Sequence, residues 1–275
     1  MKILIIGGGN MGLTYAQSFL RSHITNKADM MLLERSPEKA AELAKKDIGT
    51  VYGRPEECIT NADLIIFAVK PQDAMALFEH LKGQVDAQQV FLSIMAGVKI
   101  KTITEALRVS KVIRAMPNLP AQIGMGMTAF TSSDEVTRIE LVMVQNLLNT
   151  TGKTIYVEDE SSIDAATAIS GSGPAYVYYF MDAMIQAARQ MGFSNSEAEL
   201  LVSQTFKGAV DLHNKADLSC EQWIKKVSSK GGTTEAAMAS FAKNSVYKDI
   251  MMAAQAALNR AVELGKKQEA EADKA

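Results

Sequence analysis

Cysteine is nearly absent. Cys58 and Cys220 stand far apart, with no CxxC and no Cys/His cluster around either, so neither a disulfide framework nor a zinc site is indicated. A reducing cytoplasm is the expected compartment. An excess of one charge is lacking as well: 29 basic and 31 acidic side chains leave a formal net charge of −2. The chain therefore offers no electrostatic footprint for nucleic acid or for an anionic membrane surface. The opening apolar run stops at glycines and is too short for a signal h-region or a membrane span, so neither export nor membrane association is expected. Histidine is scarce, and His23, His80 and His213 all fall in helical or helix-end patterns that read as surface. What remains is a chain of 275 residues, 47% hydrophobic, long enough for two domains with a substantial core.

Short, near-continuously apolar runs at 3–6, 30–33, 64–69, 90–94 and 112–115 alternate with helical patterns at 11–21, 37–46 and 72–81. Runs of this kind suit strands covered on both faces of a parallel sheet with crossover helices. A further strand is predicted at 125–130, a helix at 134–149 and a last strand at 154–157. The first half thus reads as a Rossmann-type α/β domain, 1–158. Beyond it, helical stretches follow at about 174–191, 195–214, 220–227, 233–243 and 246–266, giving an all-α second domain, 159–275. The segment from Ala175 to Ile185 is apolar almost all round, with Asp182, Gln186 and Arg189 as a narrow polar stripe. A helix of that kind needs cover on several sides, and a second subunit is the expected source. The tail 266–275 reads as a fraying, solvated end.

The first strand runs into Gly7-Gly8-Gly9-Asn10-Met11-Gly12, the G-x-G-x-x-G pattern placed between a strand and a helix. Gly7 serves a tight turn, Gly9 lets the backbone approach a pyrophosphate, and Gly12 lets helix and strand pack closely. The helix N-terminus then presents open N–H groups to phosphates. Glu34, 22 residues beyond Gly12, falls where a carboxylate would meet the adenosine ribose, while the neighbouring Arg35 and Ser36 could bind a 2′-phosphate. Both NADH and NADPH stay open, with a slight lean to NADH. Ala68-Val69-Lys70-Pro71 ends the strand at 64–69, at the carboxyl edge where open α/β sheets bind ligands. Lys70 is expected near the cofactor phosphate or ribose, and Pro71 is expected to start the next helix. The small residues Ala96 and Gly97 would let a nicotinamide ring lie close. Asn118, in a turn fixed by Pro117 and Pro120, offers an amide toward the nicotinamide half or serves only the turn.

In the helical half, Ser170-Gly171-Ser172-Gly173-Pro174-Ala175-Tyr176 introduces the apolar helix. Ser229-Lys230-Gly231-Gly232-Thr233-Thr234 precedes a later one. Successive N–H groups of Gly231, Gly232 and Thr233, with hydroxyls from Ser229 and Thr234, suit a small anion such as a carboxylate. An ordinary cap with threonine as capping residue is compatible with the same residues.

With these segments the chain resembles the pyrroline-5-carboxylate reductase family, from Gly7 to about Gly265. The two helical-half motifs are the specific part of the likeness. The resemblance implies NAD(P)H-dependent reduction of a cyclic imine to L-proline by a Rossmann domain and a helical domain that interlocks with a partner subunit. Homodimers, possibly assembled further into rings, follow from the same likeness. Ser229, Gly231, Gly232, Thr233 and Thr234 would then hold the substrate, with Thr234 hydrogen bonded to the ring nitrogen and Asp217 nearby. Two positions depart from the family pattern. Lys230 stands where the family usually has proline, and Leu119 where it has threonine; altered substrate affinity is the expected result.

A protonated imine accepts hydride without needing a protein proton donor in that step, which suits helical-half motifs without His or Lys apart from Lys230. A β-hydroxyacid dehydrogenase is a rival reading, but its general acid/base lysine would fall at Val177 and its asparagine at Met181. A drifted paralogue acting on another imine, or an NAD(P)-binding regulatory protein, stays open at this point.

Overall fold

The computed structural model describes residues 1–272. Eight strands form one sheet: β1 (Ile3–Ile6), β2 (Met30–Leu33), β3 (Thr50–Tyr52), β4 (Leu64–Phe67), β5 (Val90–Ser93), β6 (Val112–Met116), β7 (Gly126–Ser132) and β8 (Gly152–Tyr156), in the order β3-β2-β1-β4-β5-β6-β7-β8. Around them lie α1 (Asn10–Arg21), α2 (Pro37–Ala44), α3 (Ala74–Leu81), α4 (Ile100–Leu107), α5 (Arg138–Asn149) and α6 (Ser161–Ala166). The unbroken apolar runs are explained by cover on both sides. In β1, Leu4 and Ile6 pack into one core and Ile3 and Ile5 into the other, so no position is left for a polar residue. On the first face Phe67 stacks on Phe91, with ring centres 5.9 Å apart, and meets the edge of Phe78. Tyr15 and Phe19 of α1 fill the second.

Several elements differ from the sequence reading. β3 and α4 were not expected: β3 is a three-residue edge strand opening on Thr50, too short to show a pattern. α4 carries Ile100, Ile103 and Leu107 at helical spacing, a signal that was there to be read. The sheet is not parallel throughout, because β7 runs antiparallel to β6 and β8 runs parallel to β7. The chain passes from β6 to β7 through a tight 3₁₀ turn, Leu119–Ile123, closed by Gly124 at φ +74°. So short a link can only reverse the strand, whereas a parallel neighbour needs a crossover. α5 begins at Arg138 rather than 134, since Thr137 and Glu140 form a reciprocal capping box there.

Behind β6 lies a feature the sequence reading passed over. Arg114 is 1% exposed, with Nη2 donating to Asp164 at 2.6 Å and Nη1 to Glu160 at 3.0 Å. These contacts hold α6 to the sheet. The chain clusters into two compact units, Met1–Ser172 together with the chain from Ala256 onward, and Gly173–Gln255. The first unit therefore runs past the last strand to include α6 and a π-helical turn, Thr167–Gly171.

The second unit holds α7 (Gly173–Gln190), α8 (Asn195–His213), α9 (Cys220–Val227), α10 (Thr233–Lys243) and the start of α11 (Val246–Ala272). Capping boxes at Ser194 with Glu197 and at Ser219 with Gln222 set the starts of α8 and α9. α7 packs along α8, yet none of its residues is buried; Tyr178, Tyr179 and, on α8, Leu200 stand exposed. Faces this apolar mark an association surface. α11 continues to Ala272 instead of fraying from 266; the expected solvated end at 273–275 lies outside the described residues. No helix among the described residues is long and apolar enough to cross a membrane.

Two outcomes test this account of the core. Replacing Asp164 with Ala leaves the buried guanidinium with Glu160 as its one carboxylate partner, and loss of a partner from such a pair costs up to about 3–5 kcal/mol, read as a lowered urea midpoint. Burial also pushes the Cys58 thiol and the Tyr15 hydroxyl up, each to about 12, from 9.0 and 10.0. The unfolded chain releases these protons first, so stability falls as pH rises toward 12, from about 9 through Cys58 and from about 10 through Tyr15. The Tyr15→Phe variant should show a shallower alkaline decline in urea midpoint than the parent.

Candidate functional site

At the carboxyl edge of the sheet, the ends of the neighbouring strands β1 and β4 open a cavity of about 480 Å³. This is the point at which strand order reverses direction, the position where doubly wound sheets take ligands. Its floor is the glycine turn. Gly7 has φ +108°, and a Cβ there would lie 2.7 Å from the Ala68 carbonyl oxygen. At Gly12 a Cβ would lie 2.2 Å from the Gly7 carbonyl oxygen. Strand, turn and helix thus meet backbone to backbone. Gly9 differs: it is the N-cap of α1 at φ −72°, and a Cβ built on it meets no heavy atom within 4 Å. Its exposed backbone and the open first turn of α1 are of the kind that accepts a diphosphate; Asn10 and Met11 stand in that turn but do not line the cavity.

Glu34, just past the end of β2, is fixed by main chain. Its Oε2 accepts from the Gly8 N–H at 3.2 Å and its Oε1 from the Ser36 N–H at 3.0 Å. Ser36 itself is occupied as the N-cap of α2, accepting from the Lys39 N–H and donating to Glu38. Arg35 is exposed and reaches Asp73 at 3.0 Å. Ala68, Val69 and Lys70 line the same cavity. Pro71 opens a 3₁₀ turn, Pro71–Asp73, that leads into α3.

The structure thus brings Gly7, Gly9, Glu34, Arg35, Ala68, Val69 and Lys70 together around one cavity. It adds Lys39, Asp73, His80 and the β3-side residues Gly53 and Pro55, which the sequence reading did not single out. His80 also lies 3.4 Å from a Glu56 carboxylate oxygen. Asp73 could have been found, as it sits one 3₁₀ turn beyond Lys70. Gly53 and Pro55 could not, because their strand went unrecognised.

Other expected positions lie elsewhere. Gly97, at φ +75°, is pressed against α11, where a Cβ would stand 3.1 Å from the Gly265 nitrogen; neither it nor Ala96 lines the cavity. Asn118 has its amide engaged by main chain: Nδ2 donates to the Ser170 carbonyl at 3.0 Å and Oδ1 accepts from the Met127 N–H at 2.9 Å. It ties the β6–β7 turn to the π-helical turn, the structural one of the two roles open to it.

In the second unit, Gly232 rather than a threonine is the N-cap of α10, with Thr233 as its first residue. Gly231 has φ +72° and donates its N–H to the Glu235 carboxylate at 2.5 Å, while the Gly232 N–H donates to the Ser229 carbonyl at 2.9 Å. The N–H groups that a helix start leaves open are therefore those of Thr233, Thr234 and Glu235, since the first bond of the helix runs from the Ala236 N–H to the Gly232 carbonyl. Asp217 is exposed on the segment between α8 and α9.

The comparisons with known proteins agree along the chain. Residues 160–264 match the model described as pyrroline-5-carboxylate reductase dimerisation. Residues 2–97 match the one described as NADP oxidoreductase, coenzyme F420-dependent. The chain is 31% identical to the pyrroline-5-carboxylate reductase of Staphylococcus haemolyticus, over 98% of this chain and 100% of the relative. It is 37% identical to pyrroline-5-carboxylate reductase 2 of Bacillus subtilis, over 86% of this chain and 85% of that one. The crystal structure of the Plasmodium falciparum pyrroline carboxylate reductase with NADP bound superposes with a TM-score of 0.87 at 30% identity, covering 96% of this chain and 98% of the other.

Because Gly9 faces open space, Gly9→Ala should leave the thermal midpoint within a degree or two, while dinucleotide affinity measured by calorimetry drops at least about tenfold as the methyl group blocks the cradle. Gly12→Ala should lower both, since its methyl group has no room.

Proposed function

Taking as premise that the chain belongs to the pyrroline-5-carboxylate reductase family, we propose that it reduces 1-pyrroline-5-carboxylate to L-proline with NADH or NADPH as hydride source. The observation that carries this reading is a family likeness that runs along nearly the whole chain and includes an intact dinucleotide cradle. Bound there, the reduced nicotinamide supplies a hydride to the C=N carbon. The residues present fit such a molecule: Gly9 and the first turn of α1 take the diphosphate, Glu34 the ribose hydroxyls, and Lys70 adds positive charge.

In the second unit, the first-turn N–H groups of Thr233 and Thr234, with the Ser229 and Thr234 hydroxyls, hold the substrate carboxylate and ring nitrogen; Gly231, Gly232 and Asp217 complete that surround. The Glu235 carboxylate now on the Gly231 N–H gives way when the substrate anion arrives. Thr234 acts as a positioner. An iminium already carries the proton that the product amine needs, so what the protein supplies is proximity and orientation, worth several kcal/mol. The exposed apolar faces of α7 and α8 and the matched dimerisation model support a homodimer, with rings of dimers as a further level of assembly in a cytoplasmic enzyme.

Thr234→Ala is expected to lower kcat/KM for the imine by about 10–100-fold, as loss of a hydrogen bond to a charged group costs about 1.5–3 kcal/mol. Dinucleotide affinity should hold; unchanged imine reduction would remove Thr234 from the site. With saturating cofactor, turnover should decline as the imine loses its proton at alkaline pH, and a flat profile would exclude an iminium electrophile.

A further inference from the structure

The cavity at the β1 and β4 ends carries two carboxylates, Glu34 and Asp73, and the basic residues Arg35, Lys39, Lys70 and His80; the arrangement of Glu34, Arg35 and Asp73 bears on which dinucleotide it takes. Glu34 is held from two sides by the Gly8 and Ser36 N–H groups. A carboxylate has about four acceptor positions, and two main-chain donors leave room for two more. The vicinal 2′- and 3′-hydroxyls of an unmodified ribose are a donor pair of that kind, whereas a 2′-phosphate offers only negative charge. Arg35 is the cation nearest in sequence, yet its guanidinium pairs with Asp73 at 3.0 Å across 38 residues of chain. Ser36, the other phosphate-binding candidate, has its hydroxyl engaged at the α2 N-terminus.

We propose that this cavity selects the dinucleotide lacking a 2′-phosphate, with Glu34 as the discriminating carboxylate and Asp73 as a positioning residue that draws Arg35 into an ion pair. The proposal rests on the dinucleotide reading given above and refines it. A dianionic phosphate set beside Glu34 meets repulsion that the paired Arg35 only partly offsets. The cost is modest because Arg35 is largely exposed and exposed pairs are weakly coupled.

The test is direct titration of the full-length protein by calorimetry with ADP-ribose and with its 2′-phosphorylated form, neither of which can transfer hydride. The unsubstituted protein should bind ADP-ribose at least about tenfold more tightly, as expected for one charge–charge clash at a partly solvated site. Asp73→Asn frees Arg35 and should narrow the ratio between the two ligands several-fold. In the Asp73→Asn, Arg35→Ala double variant that narrowing should disappear. Glu34→Gln should also bring the ratio toward unity. Equal or tighter binding of the phosphorylated ligand by the unsubstituted protein overturns the selectivity, and an unchanged ratio in Asp73→Asn overturns the role of Asp73. Failure of both ligands to bind overturns the dinucleotide reading itself, a result distinguishable from either.

Discussion

The constraint on which the nucleotide end depends is a three-way meeting of backbone. The Gly7 turn sits against the Ala68 carbonyl, and Gly12 of α1 sits against Gly7. No side chain intervenes at either contact, so α1 starts directly above the sheet and its first-turn N–H groups open where β1 and β4 end. The same closeness leaves Gly9 with nothing beside it. That open face lets the main chain be approached closely from outside, and it exists because the two flanking glycines let the chain close up.

Much of the first unit was legible because strand burial on two faces erases alternation. β1, β2, β4 and β5 could be read from unbroken apolar runs, and the glycine turn with Glu34 marked the carboxyl edge at which the cavity opens. What could not be read was set by tertiary context. Three residues of β3 carry too little pattern to predict. The reversal at β7 depends on how the turn after Asn118 closes, not on the strand's own composition. Ala96, Gly97 and Asn118 looked like ligand neighbours because small residues and amides at strand ends suit both roles. The structure engages Gly97 with α11 and Asn118 with two main-chain partners.

In the second unit the helix limits were legible almost to the residue, since Ser194 and Ser219 write their capping boxes into the sequence. The loop before α10 was legible as the start of a helix but not in its hydrogen bonding. A run of glycines and hydroxyls suggests that every N–H is available, whereas Glu235 occupies that of Gly231. An acidic residue in the first turn also interacts favourably with the helix dipole. The residue that stabilises the start of α10 therefore competes with any anion for the same end of the helix.

Arg114 carries a consequence for how the chain is made. Its strand emerges from the ribosome well before α6, yet the carboxylates that neutralise it belong to Glu160 and Asp164, 46 and 50 residues downstream. A nascent polypeptide ending at β8 would hold all eight strands with an unmatched cation on β6. Synthesis of the short helix after the sheet is thus what neutralises Arg114, and the first unit is complete only once the chain from Ala256 onward has joined it, so its folding waits on residues at both ends of the helical segment.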